Sequence, residues 1–325
     1  MNIKRLVIEN FKSIERIELI EPNPFTVFVG PNGSGKSNIF EALEFVNRCS
    51  KTLVSEVVRE FGGVSKISYR SGAHLSRFYF RTDFGEETEY TEIRFAYDAI
   101  QDKIHLPNKI QNEWLNLSTD TQDQFYLGFS KVFINSSKSP RYNYQDDRSL
   151  NSAATNLEKV LKRILLDDKM RPEIFEWLFL FVPGFDYVSI DEHNEIQWYE
   201  KYSVDHFTKD LISDGTYNIL ALLTAVYQSD KPQFLCIEEP ENGLHPDVIK
   251  ELVNLCRYAC ETYGHFIWLN THSQTLAAQL TSDEIIVVDK VNGATQTKQF
   301  KGRDFHGLRM DEAWLMNALG GGLPW

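Results

Sequence analysis

The strongest chemistry in this chain of 325 residues lies in Gly30-Pro31-Asn32-Gly33-Ser34-Gly35-Lys36-Ser37, which fits G-x-x-x-x-G-K-[ST] at every fixed position. Glycines let a backbone wrap closely, so successive N–H groups and a helix N-terminus point at phosphate oxygens. In such a loop Lys36 reaches the β- and γ-phosphates, and the Ser37 hydroxyl helps to hold Mg2+. Asn38, at the start of the helix, completes the set of candidate nucleotide-binding residues. A second group is acidic. Phe234-Leu235-Cys236-Ile237-Glu238-Glu239 is four apolar residues ending in two carboxylates. A buried parallel strand carries its ligands at its carboxyl end. Glu238 is then placed to hold Mg2+, directly or through water, and Glu239 to orient or deprotonate an attacking water.

Two weaker signals accompany them. Ser213-Asp214-Gly215-Thr216 opens a helical pattern, where Ser213 and Gly215 offer a hydroxyl and a backbone N–H. Thr271-His272-Ser273 puts a histidine at another strand end, in reach of a γ-phosphate. A lone histidine is more often a bystander, and an isolated S-D-G-T carries little weight. Glu241-Asn242-Gly243-Leu244-His245-Pro246 is a tight polar turn suited to an interface.

These residues need elements to hold them. The run Phe25–Val29 reads as a buried strand before the glycine loop, and Asn38 to Asn47 reads as an amphipathic helix behind it. Residues 3 to 20 alternate apolar and polar positions and break near Asn10, which predicts a hairpin-like pair of strands. Residues 75 to 82 and 88 to 100 predict antiparallel strands around a turn at Asp83-Phe84-Gly85. Asn156 to Leu166 predicts an amphipathic helix, and Ile174 to Val182 an apolar segment packed inside. Short strands follow at 187 to 190 and 196 to 202.

From Ser213 onward helices alternate with strands: 216 to 228, 234 to 237, 246 to 263, 266 to 269, 274 to 280 and 285 to 288, with a last short helix over 311 to 319. That alternation points to a largely parallel sheet covered on both faces. The expected fold is therefore α/β of P-loop NTPase type, with an N-terminal antiparallel β portion and an inserted α+β lobe. Residues 1–50 and 205–325 form the expected core, and 51–204 the insert.

A formal net charge of −12 argues against the whole surface being a nucleic-acid footprint, although a local basic groove is compatible with it. Lys159, Lys162 and Arg163 at helical spacing, with Lys138, Arg141 and Tyr142 in a polar loop, mark where DNA or RNA would touch the insert. A solvated helix face is the plainer explanation of such a charge run. No apolar run is long enough to cross a bilayer, and residues 1 to 5 lead straight into a strand. Four scattered cysteines read as reduced core residues, which fits a cytoplasmic protein.

The four motifs in this order resemble the ABC-type ATPase heads of the SMC, RecF and OLD group. Asp214 stands 25 residues before Glu239 (239 minus 214), where the signature helix of such heads falls. Asn10-Phe11-Lys12-Ser13, Ile237 to Pro246 and the Leu-Pro-Trp end are similar to small bacterial AAA-family ATPases. The resemblance covers 1 to 50 and 205 to 325 well, and 51 to 204 loosely.

It implies an ATPase that uses ATP and Mg2+ and forms a homodimer with two nucleotides sandwiched between its heads. Ser213 and Gly215 would complete the partner's site, His272 would be the switch histidine, Asn242 to His245 the dimer-facing loop, and Lys12 a basic residue near the nucleotide. Gln111 and Gln122 are open candidates for the family's glutamine loop. The chain has no coiled-coil heptads, and 53 residues after His272 (325 minus 272) are too few for a Toprim domain. A nuclease or other effector is therefore expected on a separate chain, in DNA repair or phage defence. A nucleotide-gated binding module with negligible turnover is the alternative. A transporter subunit fits less well, because I-S-D-G-T departs from L-S-G-G-Q.

Overall fold

The alternation in the first twenty residues builds β1 (Ile3–Phe11) and β2 (Ile14–Ile20), antiparallel with Leu6 opposite Leu19 and Ile8 opposite Ile17. The computed structural model describes residues 3–69, 75–84, 90–98, 103–105, 129–133, 148–316 and 318–319. The chain divides into two compact units, Met1–Phe129 with Leu280–Trp325, and Ser130–Gln279.

In the first unit, β3 (Phe25–Val29) is buried along its whole length. β4 (Leu75–Phe84), β5 (Tyr90–Asp98) and β6 (Lys103–His105) extend the first pair into an antiparallel sheet of order β2-β1-β4-β5-β6. Phe78, Phe80, Ile93 and Phe95 point to its buried face. Helix α1 (Lys36–Cys49) packs there through Phe45, whose ring lies 5.5 Å from Phe80 and 5.7 Å from Phe11. Burying a side chain of that size contributes roughly 1.5–3 kcal/mol. Phe40 on the same helix meets Phe28 of β3 edge-on at 5.5 Å. The helix behind the glycine loop is thus held from two sides. Two short helices, α2 (Val54–Glu60) and α3 (Val64–Ile67), follow it. β12 (Ile285–Val291) lies parallel to β3 and antiparallel to β13 (Ala294–Gln299).

Two expectations need correction here. Asp83 and Phe84 belong to β4 and not to a turn, because Phe84 is fully buried and pairs with Ile3. β13 was not expected, although Asn292-Gly293 between alternating residues is a strong hairpin signal. The chain closes its described part with helix α9 (Met310–Leu315).

In the second unit, β7 (Phe129–Phe133) leads to α4 (Leu157–Leu165) and α5 (Met170–Phe181). Every apolar residue expected on the buried face of α4 is buried. α5 differs from expectation. It buries Ile174, Leu178 and Phe181 but exposes Phe179 and Leu180, because one face of a helix can turn inward while the run is apolar all round. The hairpin of β8 (Phe185–Ile190) and β9 (Ile196–Glu200) follows.

Helix α6 (Asp214–Tyr227) is buried at every position from Ile219 to Tyr227. β10 (Phe234–Glu238) and β11 (Phe266–Thr271) are parallel, with Glu238 opposite Asn270. Between them α7 (Pro246–Tyr263) covers the strands with Ile249, Leu252, Val253 and Cys256, and the short α8 (Gln274–Ala277) follows. None of the four cysteines is in a disulfide, and three of them are buried. Among the described residues no helix is long and apolar enough to cross a membrane.

Candidate functional site

The glycine loop turns from β3 into α1 as its pattern requires. A Cβ at Gly30 would collide with the Val288 carbonyl oxygen, and one at Gly35 with the hydroxyls of Thr295 and Ser13. Gly35 also sits at φ +105°, a region L side chains rarely adopt. Lys36 folds its ammonium over the loop, donating to the carbonyls of Gly30 at 2.7 Å and Pro31 at 3.1 Å. Asn32 and Gly33 at the tip are exposed, and Ser37 and Asn38 are half-buried on the first turn of α1.

Three residues far apart in sequence brace this loop. Thr295 donates its hydroxyl to the Ser34 carbonyl at 2.9 Å and lies 2.6 Å from the Ser13 hydroxyl. The Thr295 N–H donates to the Ser13 carbonyl at 2.8 Å, and the Asn38 amide donates to the Ser13 hydroxyl at 2.6 Å. The Ser34 hydroxyl is buried without a hydrogen-bond partner among the described residues. A glycine wall with no room for side chains and an orphaned buried hydroxyl fit the phosphates of a nucleotide. Lys12 lies beside this network at positive φ and pairs its ammonium with Glu41 on the second turn of α1.

The acids are built differently. Glu238 ends β10 with its carboxylate buried, and the Lys131 ammonium on β7 lies 3.2 Å away. Glu239 follows at φ 48°, an unusual backbone for a residue with a Cβ. Its N–H donates to both the backbone and side-chain oxygens of Asn270, each at 3.0 Å. The Asn242 amide donates to its carboxylate at 3.0 Å, and His272 Nδ1 stands 3.7 Å from the other carboxylate oxygen. The strained backbone and these partners aim a half-exposed carboxylate next to a histidine, an arrangement suited to taking a proton from water. Glu241 is buried and accepts a hydrogen bond from the Thr271 hydroxyl. Burial holds its carboxyl above the usual carboxylate range.

Ser213 caps α6, accepting from the Thr216 N–H at 3.1 Å, so its hydroxyl serves the helix as well as its exposed surroundings. Gly215 presses against the turn of Gly243, where a Cβ would lie 2.7 Å from the carbonyl oxygen. The Asn218 amide donates to the Asn242 carbonyl at 3.0 Å. The helix start and the 242–245 turn therefore share one surface within the second unit, with Ser213, Gly243 and His245 exposed.

Sequence reasoning overlooked Thr295, Asn270 and Lys131, and gave Thr271 and Glu241 no role of their own within their motifs. The hairpin signal before Thr295 would have found it, whereas Lys131 gave no signal because its strand is short. Of the basic residues marked for nucleic acid, Lys162 donates to the Asp191 carbonyl at 2.6 Å and Arg163 to the Gln228 carbonyl at 2.7 Å. Their charges serve to hold loops, while Lys159 is exposed. Lys138, Arg141, Tyr142, Gln111 and Gln122 lie outside the described residues.

Residues 25–278 of 325 match the family described as "AAA domain, putative AbiEii toxin, Type IV TA system". The chain belongs to this AAA-domain family. A chromosome partition protein Smc of Methanocaldococcus jannaschii is 34% identical over 114 residues, 34% of this chain and 9% of that protein. Structural maintenance of chromosomes protein 1B of Mus musculus is 34% identical over 95 residues, 28% of this chain and 8% of that protein. The chain thus spans about a tenth or less of the length of these two relatives.

An Smc head solved with the C-terminal winged-helix domain of ScpA superposes with a TM-score of 0.61 at 16% identity, covering 96% of this chain and 99% of that one. The SMC head domain from Thermotoga maritima gives 0.53 at 16% identity, covering 92% and 99%. The fold of this AAA-domain protein is that of an ABC-type ATPase head of the SMC/RecF group. It is α/β, with a mixed, mostly parallel sheet, an antiparallel β portion and flanking helices.

Proposed function

We propose that this chain is a cytoplasmic ATPase that pairs with a second copy of itself around ATP, and through that pairing regulates a nucleic-acid transaction by way of a separate effector protein. The observation that carries the ATPase reading is Glu239, held at φ 48° with Asn242 on one carboxylate oxygen and His272 near the other. Gly30 to Asn38 hold the phosphates, with Lys36 as the positive charge and Lys12 at the margin. Ser37 and Glu238 would each serve as a ligand for Mg2+, whose charge would offset that of the phosphate oxygens. Glu239 accepts the proton of the attacking water, and His272 steadies the γ-phosphate.

The pairing rests on the exposed surface that joins Ser213 and Gly215 to the 242–245 turn. An exposed helix N-terminus suits a phosphate brought by another subunit. The relatives' names concern chromosome partition, and one solved Smc head carries a second protein. Those names favour a nucleic-acid role, in DNA repair or defence against phage, and a protein effector such as a nuclease.

Light scattering of Glu239→Gln with and without Mg-ATP tests the whole reading. Its mass should double on adding Mg-ATP, and the further change Ser213→Arg should return it to the monomer with nucleotide still bound. An unchanged mass would sink the ATP-linked pairing.

A further inference from the structure

Lys131 is a buried charged residue in the middle of the half-buried strand β7. Its ammonium lies 3.2 Å from the Glu238 carboxylate, and the two side chains are only 4% and 3% exposed. It also sits 4.8 Å from the centre of the Phe133 ring. A buried carboxylate is costly without a cation, and a buried ammonium equally so without an anion, so each member of the pair offsets part of the other's cost. Glu238 is also the acid to which the proposed function gives the metal. One carboxylate therefore serves two cations, one built into the fold and one arriving from solution. At short range and low dielectric a divalent ion is strongly repelled by a fixed ammonium.

We propose that Lys131 competes with the divalent metal for the Glu238 carboxylate and so limits how much metal the second unit takes up without nucleotide. This rests on the reading of Glu238 as the metal-holding acid. A methionine at the position keeps the length of the side chain and removes its charge. An arginine keeps the charge and grips a carboxylate through two parallel hydrogen bonds.

The test is a Mn2+ titration of the nucleotide-free full chain, read by the loss of the free-ion electron paramagnetic resonance signal. Lys131→Met should tighten Mn2+ binding by about tenfold or more, equivalent to about 1.4 kcal/mol. The double variant Lys131→Met with Glu238→Gln should lose that gain. Lys131→Arg should bind Mn2+ more weakly than the wild-type chain, and it decides the matter if Lys131→Met does not fold.

A Lys131→Met titration identical to wild type overturns the proposal, as does a gain that survives in the double variant or an arginine variant that binds Mn2+ equally or more tightly. A lysine that only neutralises a buried acid would shift the melting temperature and leave the titration unmoved. Glu238→Gln titrated with Mn2+ and a non-hydrolysable ATP analogue separates the two claims. Undiminished metal binding there removes the Glu238 reading and this inference with it. Diminished binding beside an unmoved Lys131→Met removes this inference alone.

Discussion

The glycine loop of the first unit and the acid cluster of the second solve opposite problems. The loop must present backbone N–H groups, so its side chains are removed at Gly30 and Gly35, and the hydroxyls of Ser13 and Thr295, the latter through the Ser34 carbonyl, hold its shape. The cluster must present charge, so Glu238, Glu239 and Glu241 are kept near one another and restrained by Lys131, Asn242, Asn270 and Thr271. A backbone site is sensitive to shape, whereas a carboxylate site is sensitive to charge and proton position. Substitutions in the two should therefore fail in different ways.

The largest separation is expected at Glu239. Glu239→Gln keeps size and hydrogen bonding but cannot take a proton, so phosphate release should fall about 10²–10⁴-fold while ATP affinity stays within about twofold. Rapid-quench hydrolysis and calorimetry on the same preparation check both halves. Equal losses of binding and turnover would erase the distinction between the two sites.

Acid should strike the second unit through His265, which is buried immediately before β11. Its Nδ1 accepts from the Gln233 N–H at 3.3 Å, and Nε2 lies 3.2 Å from the Val226 carbonyl, so the neutral ring with its proton on Nε2 fits. Burial pulls its pKa from 6.5 down to about 4. A depressed folded-state value gives stability that is complete above pH 6.5 and lost as pH falls towards 4, up to about 3 kcal/mol. Glu241 acts in the opposite sense. Its raised value makes the folded state take up its proton more readily, so its burial costs least at low pH. His265→Gln should therefore flatten the acid limb of a stability–pH curve measured by denaturant unfolding. An unchanged slope between pH 6.5 and 4 would remove His265 as its cause.

On the proposed reading, Lys36→Ala should lower ATP affinity by about an order of magnitude or more, because it deletes the charge assigned to the terminal phosphates. Calorimetry gives the number, and an unaltered affinity would break the loop assignment. The smallest effect is expected at Thr295. Thr295→Val removes two hydroxyl contacts and keeps the shape, costing about 1–2 kcal/mol of stability and a few-fold in ATP affinity. Thermal unfolding with and without nucleotide checks this, and a drop in stability alone would make Thr295 a fold residue with no part in the loop.

The same contrast explains what could be read from the chain. The glycine loop is a contiguous string whose steric demands allow few other residues, so Gly30 to Ser37 and the elements on either side were legible directly. The buried runs of β3, β10 and β11 were legible too, since a strand covered on both faces reads as continuous apolar sequence. Lys131 and Glu238 are 107 positions apart (238 minus 131), and no periodicity links them. Asn270 and Thr271 were hidden in another way. They look like the polar end of a strand, and only the fold brings the Glu239 N–H to Asn270 and the Glu241 carboxylate to the Thr271 hydroxyl. The exposure of Phe179 and Leu180 was illegible because an apolar helix does not announce which face turns inward.

The bracing of the glycine loop by Thr295 has a consequence for how the protein is made. Lys36 and Thr295 are separated by 259 positions (295 minus 36). At about 5–20 residues per second, a ribosome needs roughly 13 to 52 seconds to travel between them. During that interval the nascent chain owns the whole glycine motif but not the hydroxyl that holds the Ser34 carbonyl and meets Ser13. Competence to hold nucleotide should thus arrive late in translation, after β13 has joined β12. A polypeptide stalled before residue 295 would carry the motif in its sequence and lack the brace that shapes it.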